Sequence, residues 1–116
     1  MAGFEDLVVW QKAMGLARSI YDLTAGLPED EKYGIISQMR RAAVSVPSNI
    51  AEGHGRSSSR ELSRFLSISL GSLREVQTLL YLARDLGYAD PSKELEQCKE
   101  VAKMIFGLKK SLEAND

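Results

Sequence analysis

A chain of 116 residues with 44% hydrophobic and 27% charged residues, nine glycines, three prolines and one cysteine has ordinary globular usage, which excludes collagen-like, low-complexity and disulfide-scaffold chains. At this length folding buries roughly two-thirds of the unfolded surface, so one domain over residues 1–116 needs neither a disulfide nor a metal. The net charge of −1 gives no global pull toward nucleic acid or an anionic membrane, and the lone Cys98 fits a reducing compartment, so the cytoplasm is expected.

The start, Phe4-Glu5-Asp6, is acidic where a secretory leader would be basic, and no apolar run is long enough to span a bilayer. Apolar residues then recur at three- and four-residue steps along nearly the whole chain, which predicts an all-α protein. The first helix takes Leu7, Trp10, Met14, Ala17, Tyr21 and Thr24 as its inward stripe and stops at Gly26-Leu27-Pro28. Pro28 followed by Glu29, Asp30 and Glu31 reads as the start of a second helix, because proline suits a first turn and carboxylates favour the positive end of the dipole.

The second helix carries Ile35, Met39, Ala43, Val46 and Ile50 inward, with a kink expected at Pro47 and a left-handed glycine close at Gly53 and Gly55. Ser58 and Glu61 have capping-box spacing at the head of a third helix running to about Leu86. Gly87 ends it, and Asp90-Pro91 restarts the chain as cap and first-position proline. A fourth helix places Leu95, Cys98, Ala102, Ile105, Leu108 and Leu112 on one side. Short connections between four helices predict an antiparallel up-down-up-down bundle.

The third helix has a heptad-like seam of Leu62, Leu66, Ser69, Leu73, Val76, Leu80 and Ala83. Phe65, Leu79 and Leu86 lie beside it, Ile68 and Leu82 lie farther round, and Leu70 flanks the other side. The apolar arc spans roughly 240°, against the ~100° stripe that one core requires. The surplus predicts self-association, with Phe65, Ile68, Leu79 and Leu82 as interface residues; a central helix touched by three neighbours is the alternative. The rest of the helix carries Arg60, Arg64, Ser67, Gly71, Arg74, Thr78 and Asp85, and the costly Gly71 invites close approach by another backbone or a ligand, ordinary helix packing being the simpler account.

Charge is unevenly distributed: residues 1–31 carry −4, residues 32–74 carry +5 and residues 75–116 carry −2. Six of the seven cations in the middle block are arginines, whose planar fork holds phosphate or carboxylate with paired bonds. Arg40, Arg41, Arg56, Arg60 and Arg64 are therefore candidates either for a polyanion-binding face or for salt bridges between subunits. Asn49 and Glu52, three apart near a helix end, form a candidate polar cluster that caps the following turn or neutralises Arg40, Arg41 or Arg56 inside an assembly, contact with a ligand or partner being the alternative.

Catalytic signals are poor. His54 is the only histidine and has no second ligand at metal-binding spacing beyond Glu52, and Gly53-His54-Gly55 is too short for a phosphate loop. The serines at 57–59 lack a base other than His54, and Cys98 falls on an apolar stripe. The expectation is a protein without catalytic activity, cofactor, metal or small-molecule substrate.

The segments Phe4-Glu5-Asp6-Leu7-Val8-Val9-Trp10-Gln11-Lys12-Ala13, Tyr33-Gly34 and the run from Gln38 through Arg40-Arg41-Ala42-Ala43-Val44-Ser45-Val46-Pro47-Ser48-Asn49-Ile50-Ala51-Glu52-Gly53 resemble a bacterial four-helix-bundle family. That family is named for proteins encoded in intervening sequences of 23S ribosomal RNA genes. Arg56, Arg64-Phe65-Leu66, Gly71-Ser72-Leu73, Glu75 and Leu86-Gly87-Tyr88 extend the resemblance over essentially the whole chain. A weaker similarity is to the accessory variability determinant of diversity-generating retroelements, a strongly basic bundle associated with nucleic acid. The resemblance implies a ring-like homopentamer of antiparallel bundles with no known catalytic activity. It leaves two readings of the arginines, contact with RNA or DNA, or a structural and protein-interaction ring.

Overall fold

The computed structural model describes residues 3–114, and its elements follow directly from the apolar periodicity. Helix α1 spans Val8–Ala25, α2 Ile35–His54, α3 Ser59–Asp85 and α4 Ser92–Ala114, with 3₁₀ turns at Phe4–Asp6 and Glu29–Glu31. The 27-residue α3 is about 40 Å long at 1.5 Å per residue, close to the long dimension of a 47 × 22 × 19 Å molecule, so the helices lie along one axis. Each helix packs against its two neighbours in the cyclic order α1, α2, α3, α4 and not against the one diagonally opposite, the pattern of an up-and-down bundle.

The α3 seam is the centre of the core. Leu66, Ser69, Leu73, Val76, Leu80 and Ala83 are wholly inaccessible and Leu62 is half-buried. The expected α2 stripe, Ile35, Met39, Ala43, Val46 and Ile50, is buried throughout, and Cys98, Val101, Ala102 and Ile105 of α4 are buried in the same core. Pro47 sits buried inside an unbroken α2.

Four local expectations are corrected. The buried face of α1 is Val9, Ala13, Leu16, Ala17, Ile20 and Thr24, so the helix is turned from the expected stripe. The larger Trp10 and Met14 are half-buried and Tyr21 is 44% exposed. Ala17 and Thr24 of the expected stripe stay buried, while Leu16 and Ile20 take the core places expected of Trp10, Met14 and Tyr21. Pro28 opens a 3₁₀ turn rather than α2. Helix α2 begins at Ile35 instead, after a break in the backbone at Gly34, with the Ile35 N–H donating to Glu31 Oε1 at 3.3 Å.

At the far end of α2, Gly53 lies within the helix and Gly55 keeps right-handed backbone angles, so no left-handed glycine closes it. The capping box at Ser58 is one-sided. Ser58 Oγ accepts the Glu61 N–H at 3.1 Å, while the Glu61 carboxylate is 3.3 Å from Arg64.

The other terminus behaves as read. Gly87 takes φ +75°, the Tyr88 N–H donates to the Ala83 carbonyl and the Gly87 N–H to the Arg84 carbonyl. This paired closure is a Schellman motif, and only glycine adopts its left-handed residue without strain. Asp90 Oδ1 then accepts from the backbone N–H and the hydroxyl of Ser92, which start α4 and hold the Asp90 carboxyl below its usual range.

Candidate functional site at the α2–α3 seam

The five arginines do not form one open patch. Arg40 turns inward across α1, where its Nε donates to Thr24 Oγ1 at 2.8 Å, a second nitrogen reaches the Tyr21 carbonyl at 3.3 Å, and the guanidinium lies 4.5 Å from the Tyr21 ring centre. Placed at the last turn of α1, its charge also favours the negative end of that helix dipole. Arg40 is therefore a clasp between α1 and α2.

Arg56 and Arg64 share one aromatic ring. Each guanidinium is 4.8 Å from the Phe65 centroid, and each is also matched to a carboxylate, Arg56 to Glu52 at 3.2 Å and Arg64 to Glu61 at 3.3 Å. All four charged side chains are substantially exposed, so these pairs contribute at most a few tenths of a kcal/mol to about 1 kcal/mol each. Their larger effect is to reduce the positive potential at this end of the bundle. Arg41 and Arg60 are exposed and make no ion pair or side-chain hydrogen bond among the described residues.

Asn49 and Glu52 are not brought together as a functional pair. Glu52 faces solvent and binds Arg56, whereas the Asn49 amide donates to the Ser45 carbonyl at 2.8 Å and to Ser45 Oγ at 2.9 Å. Asn49 thus belongs to a chain of small polar groups along the α2–α3 contact. Ser72 Oγ donates to Ser45 Oγ at 2.8 Å, and one turn away the buried Ser69 Oγ donates to the Val46 carbonyl at 2.7 Å. Sequence reasoning used Ser69 as a seam position and missed the network, although Ser45 and Asn49, and Ser69 and Ser72, carry the three- and four-residue spacing that marks a shared helix face.

Beside this network a polar surface hollow of about 360 Å³ opens between α2 and α3, walled by Gln38, Arg41, Ala42, Ser45, Ser72 and Glu75. A second, largely apolar groove of about 650 Å³ lies between α1 and α2, where Trp10, Met14, Tyr21, Val44 and Pro47 are among its walls. Of the four residues expected at a subunit interface, Phe65 and Leu79 are already covered within the chain, at 7% and 8% exposure. Phe65 is closed over by α2 at Gly53 and by its two arginines, and Leu79 joins the core. Ile68 and Leu82 each remain 42% exposed. Gly71 has no heavy atom within 4 Å of the position a Cβ would take, so the chain itself makes no close approach there.

The groups considered for chemistry lie apart. His54 is exposed at the end of α2, and burial pushes the Cys98 thiol up to about 12. Among the described residues no group of three His, Cys, Asp or Glu could hold a metal ion, and no helix is long and apolar enough to cross a membrane. What the fold and seam define is a four-helix bundle with a network of Ser45, Asn49, Ser69 and Ser72 along its α2–α3 contact. The family of 23S rRNA-intervening sequence proteins matches residues 5–107, and the chain belongs to it. No curated protein matches the chain closely enough to count as a relative.

Proposed function

We propose that this protein is a non-catalytic, self-associating helical scaffold of the cytoplasm, assembling as the ring-like homopentamer that the family resemblance implies. The observation that carries the reading is an apolar line on α3 that the single chain leaves open: Ile68, Leu82 and Leu86 are 42%, 42% and 49% exposed. Positions 68, 82 and 86 fall within about 40° of one another round a helix, so they share one side of α3 and its C-terminal cap, with the polar Ser72 and Glu75 on the same side between Ile68 and Leu82. Exposed large apolar side chains sharing one side mark a contact site, and covering the remaining surface of each, a little under half of the side chain, is worth about 0.6–1.5 kcal/mol. The test is native mass by light scattering for Ile68→Glu and Leu82→Glu. Dissociation with helix content retained is expected, and unchanged mass in both variants places the interface elsewhere.

A second reading, contact with RNA or DNA, rests on Arg41 and Arg60, whose guanidinium groups make no side-chain bond to the described residues. A ring would repeat the two cations around its circumference. Binding to a labelled structured RNA across a salt series tests it. Affinity that falls linearly on a log–log plot and weakens in Arg41→Ala/Arg60→Ala supports a phosphate-contacting face, and no binding at low salt leaves the scaffold reading alone.

A further inference from the structure

The hollow between α2 and α3 holds two opposite charges that do not use each other. Arg41 on α2 and Glu75 on α3 both line it, and neither forms an ion pair or side-chain hydrogen bond with any described residue. The neighbouring hydroxyls also keep spare capacity. Ser45 Oγ accepts from Ser72 Oγ at 2.8 Å and from the Asn49 amide at 2.9 Å, which fills both its lone pairs and leaves its own proton for a further acceptor. Ser72 Oγ, as donor in that bond, still has lone pairs free, and the Gln38 amide on the wall offers both kinds of group.

The wall composition narrows what could fit. It contains no aromatic side chain to stack on a nucleobase, and Ala42 is its only apolar residue, so the hollow offers little to a hydrophobic ligand. Its volume of about 360 Å³ is at the lower end of the range for small-molecule sites. A guanidinium takes a carboxylate with two parallel bonds, and a carboxylate takes an ammonium. We propose that this hollow binds a small zwitterion of the amino-acid class, its carboxylate on Arg41 and its ammonium on Glu75, with Ser45 and Ser72 completing the hydrogen bonds. Ser72 and Glu75 lie between Ile68 and Leu82 on one side of α3, and Arg41 is also the candidate phosphate contact, so the site needs this part of the surface left open in an assembly and free of RNA.

The experiment is a titration of the full chain, followed by backbone amide NMR, with glycine, β-alanine and γ-aminobutyrate, and with acetate and methylammonium as single-charge controls. At least one zwitterion should shift the Ser45 and Ser72 amides saturably with a Kd in the millimolar range or tighter. Arg41→Gln and Glu75→Gln should each weaken it about tenfold or more, with the fold confirmed by circular dichroism. Glu75→Gln should leave any RNA binding intact, which separates this site from a phosphate-contacting Arg41. No saturable shift overturns the proposal. So does an equal response to acetate alone, which would make the hollow a simple anion site, or an affinity unchanged in both variants.

Discussion

Gly53 of α2 and Phe65 of α3 meet so closely that a Cβ on Gly53 would stand 2.8 Å from the Phe65 Cβ and 3.0 Å from Leu62 Cδ1. Because the Phe65 Cβ is fixed to the α3 backbone, it cannot swing aside. Gly53 is the point where the two helices close on each other just before the turn that joins them, and the approach also seats Phe65 under Arg56 and Arg64.

Gly53→Ala therefore sets two effects against each other. Alanine gains about 0.5–1 kcal/mol of helix preference, while forcing a methyl into a packed contact costs about 1–3 kcal/mol. Overpacking wins, and thermal denaturation should show a melting temperature lower by several degrees.

Gly71→Ala is the contrasting case, since nothing lies within 4 Å of its added methyl. Only the helix-propensity gain remains, and urea denaturation should show stabilisation by about 0.5–1 kcal/mol. A loss of stability or of native mass would mean that a second copy approaches this glycine in the assembled protein.

Leu73 is wholly inaccessible at the middle of the seam, where the core has least room to relax. Leu73→Ala should cost roughly 2–5 kcal/mol, measured by equilibrium urea unfolding. A negligible loss would refute the assignment of this face to the core.

Cys98 should be inert toward a thiol-specific disulfide reagent in the folded protein and react fully once urea unfolds it, because burial, reinforced by the Glu94 charge, raises its pKa from 9.0 to about 12. The thiol then keeps its proton more tightly folded than unfolded. Its linked stability is intact below the unfolded value and is lost as pH rises toward 12. Cys98→Ala should remove this part of the alkaline destabilisation.

Tyr88 ties the α3–α4 turn to the α1–α2 connection by donating its hydroxyl to Glu31 Oε2 at 3.0 Å. That hydrogen bond, then partial burial and the charges of Glu31 and Asp30, raises its pKa above 10.0. The contribution is fully present below the unfolded tyrosine value and disappears as pH rises through the raised one. Unfolding measured above pH 10.0 should show a steeper loss of stability in the parent protein than in Tyr88→Phe.

The α2 and α3 core faces, the Gly87 terminator and the Asp90 cap were legible because each is a local pattern: a 3.6-residue period, a left-handed position, a side chain reaching its own backbone. Helix α1 was misread in rotation because it is apolar on two flanks. The stripe read from the sequence shares Ala17 and Thr24 with the buried face, but packing also buries Val9, Ala13, Leu16 and Ile20 and leaves Trp10, Met14 and Tyr21 on the flank.

The arginines show the limit most clearly. Residue type and spacing could place Arg40, Arg56 and Arg64 near helix ends, but the choice between solvent and protein is made by distances across helices. Arg40 finds Thr24 sixteen residues away, and Arg56 finds the ring of Phe65 on the next helix. The hollow at Arg41 and Glu75 was hidden for the same reason, since its walls come from two helices, four residues from α2 and two from α3.

The sequence by itself determined four helices, their order and two of their buried faces, because hydrophobic periodicity acts within one turn or two of the same segment. Only the tertiary structure decided which charges are spent on the fold and which stay free. Hydrogen bonds and ion pairs act over about 3–4 Å, and chain separation does not reveal which side chains come that close.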